Sequence, residues 1–380
     1  MIGDFSKEEL IRYSRQMAIP EISKQGQEKL KNASVLIIGL GGLGSPASIY
    51  LASAGIGKLG ICDFDKVDLS NVHRQVMYSV KDLGSKKTEA AKKHLENLNP
   101  NVDVEVHDLK LDSSNAKEII GCYDIVLDGS DNFPTRYLVN DACRLTNKLN
   151  VHASVFRFDA QVSVFCHDKG PCYRCMFPEP PKPGEVPSCA DAGVMGAHVG
   201  IIGSIQALEA IKIITGVGEP LVGKVAIFDS LTMEMKHLRL GKDENCKLCG
   251  SNPSVKDLID YEFFCGSPLG FELNAVNEIT VSDLFAYREN KKEHVLLDVR
   301  EKEEVAIAKI ENSHWIPMNE IPKRLNEINP SKRIVVYCKS GMRSANVVNF
   351  LKSAGFLDVN NLKGGILAWS REIDSEIPEY

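Results

Sequence analysis

Two C-x-x-C pairs, Cys172/Cys175 and Cys246/Cys249, stand 70 residues apart in the chain. Four thiolates are the tetrahedral set that Zn²⁺ prefers, and a site closed by four protein ligands keeps no open position, so its work is structural. Two disulfides would be the alternative in an oxidising compartment. A zinc knot that reads nucleic acid is a further alternative, set against the acidic balance of the chain and the lack of flanking basic–aromatic clusters. Gly39-Leu40-Gly41-Gly42-Leu43-Gly44 fits G-x-G-x-x-G between an apolar run and a helical pattern, with Asp63 and Asp65 ending the next run. Such glycines let the backbone approach phosphates, the following helix N-terminus favours anions, and the acid holds a ribose hydroxyl. Alone, the string also fits a tight turn, or the coenzyme site of a nicotinamide or flavin enzyme.

The residues beyond Asp65 shift that balance. Ser70, Asn71 and Arg74 place an amide and a guanidinium just past the ribose-binding acids, and Lys87 begins the next helix. Hydride transfer has no evident use for them. A nucleoside triphosphate does, because negative charge on its α-phosphate grows as pyrophosphate departs. Asp131-Asn132 follow an apolar run at the carboxyl edge expected of a parallel sheet, and Asp131 is the candidate acid for a Mg²⁺ shared with phosphate oxygens. A helix N-cap is the competing role for Asp131.

Two cysteines sit where a thiolate would be reactive. Cys189 precedes a helix beginning near Val194, whose dipole favours the thiolate; a loop cysteine without chemical duty is the alternative. Cys338-Lys339-Ser340-Gly341-Met342-Arg343 lies between a strand and a helix, an arrangement that turns backbone N–H groups toward a thiolate able to accept and hold sulfane sulfur as a persulfide. Lys339 and Arg343 are expected to add positive charge. Four residues separate Cys338 from Arg343, one fewer than the C-x-x-x-x-x-R phosphate cradle of a phosphatase uses.

These residues require two α/β frameworks. Residues 1–240 alternate strand and helix patterns, the signature of a parallel sheet covered by helices. Ser6 to Glu9 reads as a capping box. Strands are expected at Val35–Ile38, Leu59–Phe64, Val102–Val106, Ile125–Asp128, Val151–Val155 and Val225–Phe228, and helices at Ser45–Ala54, Lys86–Asn99 and within Gly193–Gly216. Gly170–Pro187 reads as a loop pinned by the four cysteines. Cys62, Cys122, Cys143 and Cys166 read as small core residues, and Cys265 has no assigned role. Periodicity fades around Lys242–Gly270, giving a first domain over 1–250, a linker over 251–277 and a second domain over 278–380. In the second, strands fall at Val295–Asp298 and Ile334–Tyr337, and helices at Thr280–Asn290 and Arg343–Ala354.

Composition fits this division. The 380 residues are 43% hydrophobic and 25% charged, enough for two buried cores. Forty-five basic against 51 acidic side chains leave a net charge of −6, which excludes binding of nucleic acid through a wholesale positive surface. No run is apolar enough to read as a membrane span and the N-terminus does not read as a signal peptide, so a cytoplasmic protein without membrane or nucleic-acid partners is the expectation.

Taken in order and spacing, Arg12-Tyr13-Ser14-Arg15-Gln16, the glycine loop, Asp63-Phe64-Asp65, Ser70-Asn71-x-x-Arg74-Gln75, Lys87, Ser130-Asp131-Asn132, the four cysteines and the run from Cys189 resemble the ThiF/MoeB/HesA adenylyltransferases, relatives of the ubiquitin-activating enzymes. The resemblance spans roughly residues 5–250. It implies a Rossmann-like adenylation domain with a mixed, mostly parallel sheet and a structural Zn²⁺. It also implies a homodimer with two ATP·Mg²⁺ sites, each adenylating the C-terminal glycine of a ubiquitin-like sulfur carrier ending in Gly-Gly. By position it assigns Gly39, Gly41, Gly42, Gly44, Asp63, Asp65, Ser70, Asn71, Arg74, Lys87, Asp131 and Asn132 to the nucleotide, Arg15 to the partner subunit's nucleotide, and Cys189 to attack on the acyl-adenylate. The Cys338 loop, with Leu297-Asp298-Val299-Arg300, Glu303/Glu304 and Gly364-Gly365-x-x-Ala368-Trp369, resembles a rhodanese domain. The segment Ala308-Lys309-Ile310-Glu311-Asn312-Ser313 departs from the A-H-I-P-G-A usual there. The fusion resembles MoeB-rhodanese proteins: the second domain would load sulfur, supplied by a donor such as a cysteine desulfurase, onto the adenylated carrier. In the alternative, the second domain only docks partners and adenylation stands alone.

Overall fold

The computed structural model describes residues 5–168, 170–181, 193–266, 277–290 and 292–379. They fall into two units, the first ending at Gly266.

The first unit opens with α1 (Lys7–Arg12), capped by the Ser6–Glu9 box, then α2 (Ser14–Met17) and α3 (Ser23–Asn32). Its core is an eight-stranded sheet: β1 (Ser34–Ile38), β2 (Lys58–Cys62), β3 (Asp103–His107), β4 (Ile125–Asp128), β5 (Leu149–Phe156), β6 (Asp159–Phe165), β7 (Lys224–Asp229) and β8 (Glu234–Arg239). The spatial order is β3-β2-β1-β4-β5-β6-β7-β8. The first five strands run parallel and the last three pair antiparallel. Parallel neighbours need crossovers, supplied by α4 (Gly44–Ala54), α5 (Lys87–Leu98), α6 (Ala116–Gly121) and α7 (Phe133–Leu145). Order reverses between β1 and β4, and a crevice at such a switch point is where open α/β sheets bind ligands.

Two strands of this unit escaped the sequence reading. Strand β6 returns from β5 through Arg157-Phe158, with Arg157 at φ +54°, so no glycine marks the turn. Strand β8 is exposed at every position and carries Lys236, His237 and Arg239, whose charges mask strand periodicity and protect a free edge from further pairing.

In the Pro- and Cys-rich loop, α8 (Tyr173–Met176) forms one turn between the first cysteine pair. The apolar α9 (Gly196–Thr215) is long enough to cross a membrane by length and composition alone. Here it packs along α4 and β5. Its buried Gln206 donates to the carbonyls of Asp128 and Val151, each at 2.9 Å, which suits a core helix.

The segment expected to start a linker at residue 251 instead stays with the first unit. There α10 (Tyr261–Gly266) lies on α7, Tyr261 is buried, and its hydroxyl donates to Asp141 Oδ2 at 2.7 Å. Fading periodicity misled because a short helix held by one tyrosine leaves no repeat. Cys62, Cys143 and Cys166 are core residues as expected. Cys122 is not: it ends α6 in an exposed position, its thiol donating to the Glu118 carbonyl.

The second unit is a five-stranded, all-parallel sheet ordered β11-β10-β12-β13-β9. The strands are β9 (Glu278–Ile279), β10 (Val295–Asp298), β11 (His314–Trp315), β12 (Ile334–Tyr337) and β13 (Val359–Leu362). Helices α11 (Val281–Glu289), α12 (Lys302–Ile307), α13 (Met342–Ser353) and α14 (Gly365–Glu372) complete it. Its apolar residues form two clusters, including Leu297, Val336 and Val348 in one and Leu296, Val335 and Trp369 in the other. Buried on both faces, the central strands are nearly continuous apolar runs, which is why their limits were legible.

Candidate functional site

A cavity opens at the switch point of the first sheet. Its lining includes Gly39, Gly41 and Gly42 after β1, Asp63 and Asp65 after β2, and Asp131 and Asn132 after β4. The loop is tight: Gly39 adopts φ +84°, and a Cβ on Gly44 would overlap the Gly39 carbonyl oxygen. Gly44 therefore shapes the turn from below and does not line the cavity. Asp63 locks the loop in place, accepting the Leu40 N–H on Oδ2 and the Asp65 N–H on Oδ1, both at 2.8 Å. Burial pushes the Asp63 carboxyl up, while the Lys87 charge and these two donors pull against it. Buried Lys87 donates to Asp65 at 2.8 Å and stands 3.9 Å from Asp63.

Arg74 and Asn71 reach the same lining through the short 3₁₀ segment Leu69–Asn71. The Arg74 guanidinium donates to the Ser70 carbonyl at 2.7 Å and meets His73 Nε2 at 2.9 Å. Guanidinium has only donors, so that imidazole nitrogen is the acceptor and the ring is neutral. Burial and the Arg74 charge hold His73 below the usual histidine range, in keeping with that state. Ser70 lies outside the cavity, its hydroxyl donating to Asp68 at 2.6 Å. Arg15 is exposed on α2 and lines no part of this cavity.

At β4 the sequence left two roles for Asp131. The N-cap of α7 is Asn132, whose side chain accepts the Thr135 N–H at 2.9 Å, so Asp131 is relieved of that duty and lines the cavity. Beneath it, fully buried Asp128 accepts from His152 Nδ1 at 2.8 Å and from the Ser130 hydroxyl. Burial raises this carboxyl, but the His152 contacts outweigh it and leave the group below its ordinary range. The lining also contains Gln75, which belongs to the Ser70–Gln75 string but had been given no role, and Lys110 and Arg136, which no motif had marked.

The four C-x-x-C thiols converge with all Sγ atoms within 4.8 Å of one another. Cys172–Cys246 are 3.5 Å apart, Cys175–Cys249 3.3 Å and Cys172–Cys175 3.9 Å. A disulfide needs ~2.05 Å, whereas sulfurs at ~2.3 Å from one tetrahedral ion stand ~3.8 Å apart, so the cluster fits a metal. Between the first pair, buried Arg174 places three N–H contacts on Asp141 of α7, at 2.7 to 3.1 Å, and lies over the rings of Tyr137 and Phe264. One buried carboxylate thus ties the knot, α7 and α10 together. Cys189 lies outside the described residues.

In the second unit, Cys338 is buried at the end of β12. Its Sγ receives the Gly341 N–H at 3.1 Å and the Ser344 hydroxyl at 3.4 Å. Gly341 at φ +96° closes that turn. Gly365, at φ +59°, lies where a Cβ would overlap the carbonyl oxygens of Cys338 and Lys339. Arg343, expected with Lys339 to add positive charge to the loop, is paired: both Nη atoms bind Glu304 at 2.7 Å. Burial raises the Glu304 carboxyl, but Arg343 brings it below the usual range. Arg300 is wholly buried on Asp298, which also accepts the Tyr337 hydroxyl, so Leu297–Arg300 braces β12 just before Cys338.

Comparison with known proteins matches both domains to known families. The ThiF family model matches residues 13–248 and the Rhodanese-like domain model residues 281–372. A probable adenylyltransferase/sulfurtransferase MoeZ from Mycobacterium tuberculosis is 42% identical over 99% of this chain and 96% of its own length. The adenylyltransferase and sulfurtransferase MOCS3 of Culex quinquefasciatus is 40% identical over 100% and 91%. A sulfur carrier protein adenylyltransferase from Thermus thermophilus is 49% identical over 69% of this chain and 98% of its own. Among solved structures, Escherichia coli MccB with ATP aligns at TM-score 0.57 and 26% identity, covering 63% of this chain and 73% of that one. The switch-point cavity and the cradled thiol therefore belong to a ThiF-family adenylyltransferase carrying a rhodanese-like sulfurtransferase domain, and this chain is a member of that family.

Proposed function

We infer that the chain adenylates the C-terminal glycine of a ubiquitin-like sulfur carrier and then exchanges AMP for sulfur held on Cys338. The observation that carries this reading is the cavity itself: Arg74, Lys87 and Asp131 converge beside glycines that admit phosphate. ATP would lie over Gly39, Gly41 and Gly42. A carrier carboxylate oxygen attacks the α-phosphorus, the bond to the β-phosphate breaks, and pyrophosphate leaves with the electron pair. A carboxylate is already nucleophilic, so catalysis is positioning plus charge stabilisation by Arg74 and Lys87. Mg²⁺ bound by Asp131 would neutralise charge on the phosphates.

Persulfide on Cys338 next attacks the acyl carbonyl, directly or by way of Cys189, and the bond to AMP breaks. A thiol reductant supplies the two electrons that cleave the acyl disulfide, releasing a carrier thiocarboxylate and free Cys338. A sulfur donor such as a cysteine desulfurase would reload Cys338, in a cytoplasmic setting. A homodimer is supported by the exposed apolar groove of Ile49, Tyr50, Val76, Ile201 and Leu208, and by Arg15 lying outside its own chain's cavity.

The decisive experiment is ATP–pyrophosphate exchange with a carrier ending in Gly-Gly. Exchange should require the carrier and vanish when its last glycine is deleted. Exchange without any carrier, or a redox coenzyme co-purifying in the cavity, would remove the reading.

We assign the four-cysteine cluster to Zn²⁺. Such an ion contributes on the order of 10 kcal/mol to its fold. Chelation, or Cys246→Ser, should lower the melting temperature of the first unit by about 10 °C or more. Calorimetry with and without chelator checks this; an unchanged transition in metal-free protein would refute a structural ion.

A further inference from the structure

Two anions must meet in the nucleotide cavity, the α-phosphate and the attacking carboxylate. Arg74 and Lys87 both follow β2 in the chain and are already accounted for by the phosphates. A third fixed cation, Arg136, lines the same cavity from the first turns of α7, beside Thr135 and close in sequence to Asp131. No motif singled it out and the reaction as written above does not use it.

Its surroundings are those of a prepared binding group. The Nε atom is buried and has no hydrogen-bond partner among the described residues. The guanidinium lies 5.1 Å over the Phe133 ring, and its charge bears on the Tyr173 hydroxyl. Tyr173 is itself fixed, its N–H donating to Asn140 Oδ1 at 2.7 Å, within the short helix between Cys172 and Cys175. The guanidinium thus rests on an aromatic ring of its own helix, with the short helix of the cysteine knot within range of its charge. Asp128, a buried acid that feels the Arg136 charge, is already engaged by His152 and Ser130. A buried donor without an acceptor is costly, and natural sites keep one where a ligand supplies the acceptor.

We propose that Arg136 binds the terminal carboxylate of the incoming carrier tail. The proposal rests on the adenylation reading above. Nε and one Nη of an arginine form a planar fork matching the two oxygens of a carboxylate, a better fit than to a phosphate already held by backbone N–H groups and a lysine. One carboxylate oxygen remains on the fork while the other forms the bond to the α-phosphorus. Arg136 therefore reads the free acid at the end of the tail, and a carrier ending in an amide is rejected.

The test is calorimetric titration of the full chain, loaded with a non-hydrolysable ATP analogue, with carrier ending in a free acid or a carboxamide. The parent should bind the acid about ten- to a hundredfold more tightly than the amide, the range for a hydrogen bond to a charged group. Arg136→Gln should bind both equally, with affinity for the analogue unchanged; Arg136→Lys should restore part of the preference. A variant that keeps the parent's acid-to-amide ratio, or that loses nucleotide affinity in step with carrier affinity, overturns the proposal. A parent that never shows carrier-dependent exchange overturns the functional reading instead, so the two failures are distinguishable.

Discussion

Alanine at Cys338 is expected to abolish sulfur transfer from thiosulfate to cyanide, and thiocarboxylate formation on the carrier, while ATP–pyrophosphate exchange runs at the parent rate. The thiol is the atom that carries sulfur, and removing an enzyme's nucleophile costs on the order of a thousandfold or more. The fold should tolerate the change, because Ala is close in size to Cys and the loop is shaped by Gly341, Gly365 and the Arg343–Glu304 pair. Glu304→Gln gives a second view, since it leaves the thiol in place but removes the charge that anchors Arg343 at the start of α13. A parent protein with no transfer activity would favour the docking-module alternative. Full activity in Cys338→Ala would remove the persulfide mechanism.

The second large effect belongs to Arg74. Arg74→Ala should lower exchange by about 10²- to 10³-fold, the scale for losing one preorganised donor at a developing oxyanion. Metal content and the melting transition should stay at parent values, because Arg74 bonds to the Ser70 carbonyl and His73 of its own loop and is not one of the four clustered thiols. Arg74→Lys should recover little, since a point charge cannot span those two acceptors and a phosphate together. If Arg15 acts across a dimer, mixing Arg15→Ala with Arg74→Ala chains rebuilds one intact site per mixed pair and restores part of the activity. Normal exchange in Arg74→Ala would sink the phosphate assignment, and absence of complementation in the mixture would sink the assignment of Arg15 to a partner site.

Legibility followed burial. Strands β4, β10 and β12 were readable to the residue because strands covered on both faces are unbroken apolar runs. Strand β8 was not, being an exposed charged edge, nor was β6, entered through a turn without glycine. The tail of the first unit was lost for a different reason: Tyr261 is buried against Asp141, 120 residues earlier in the chain, and no local pattern records such a contact. Within the site, residues carrying a motif were found and those reaching it from a helix were missed. Arg136 has no diagnostic spacing, and only its place in the cavity lining marks it.

Residue type and spacing alone determined the chemistry on offer: glycines that admit phosphate, four thiols for one ion, and a nucleophilic sulfur at the end of a strand. These are properties of side chains and of local turns, which the chain order preserves. Tertiary structure decided which partner each group has. It gave the N-cap to Asn132 and left Asp131 to the cavity, neutralised Arg343 with Glu304, and set Gly44 beneath the turn. It also left Arg136 Nε buried without an acceptor among the described residues. Charges and hydrogen bonds act over a few ångströms of space, and distance along the chain carries no record of that.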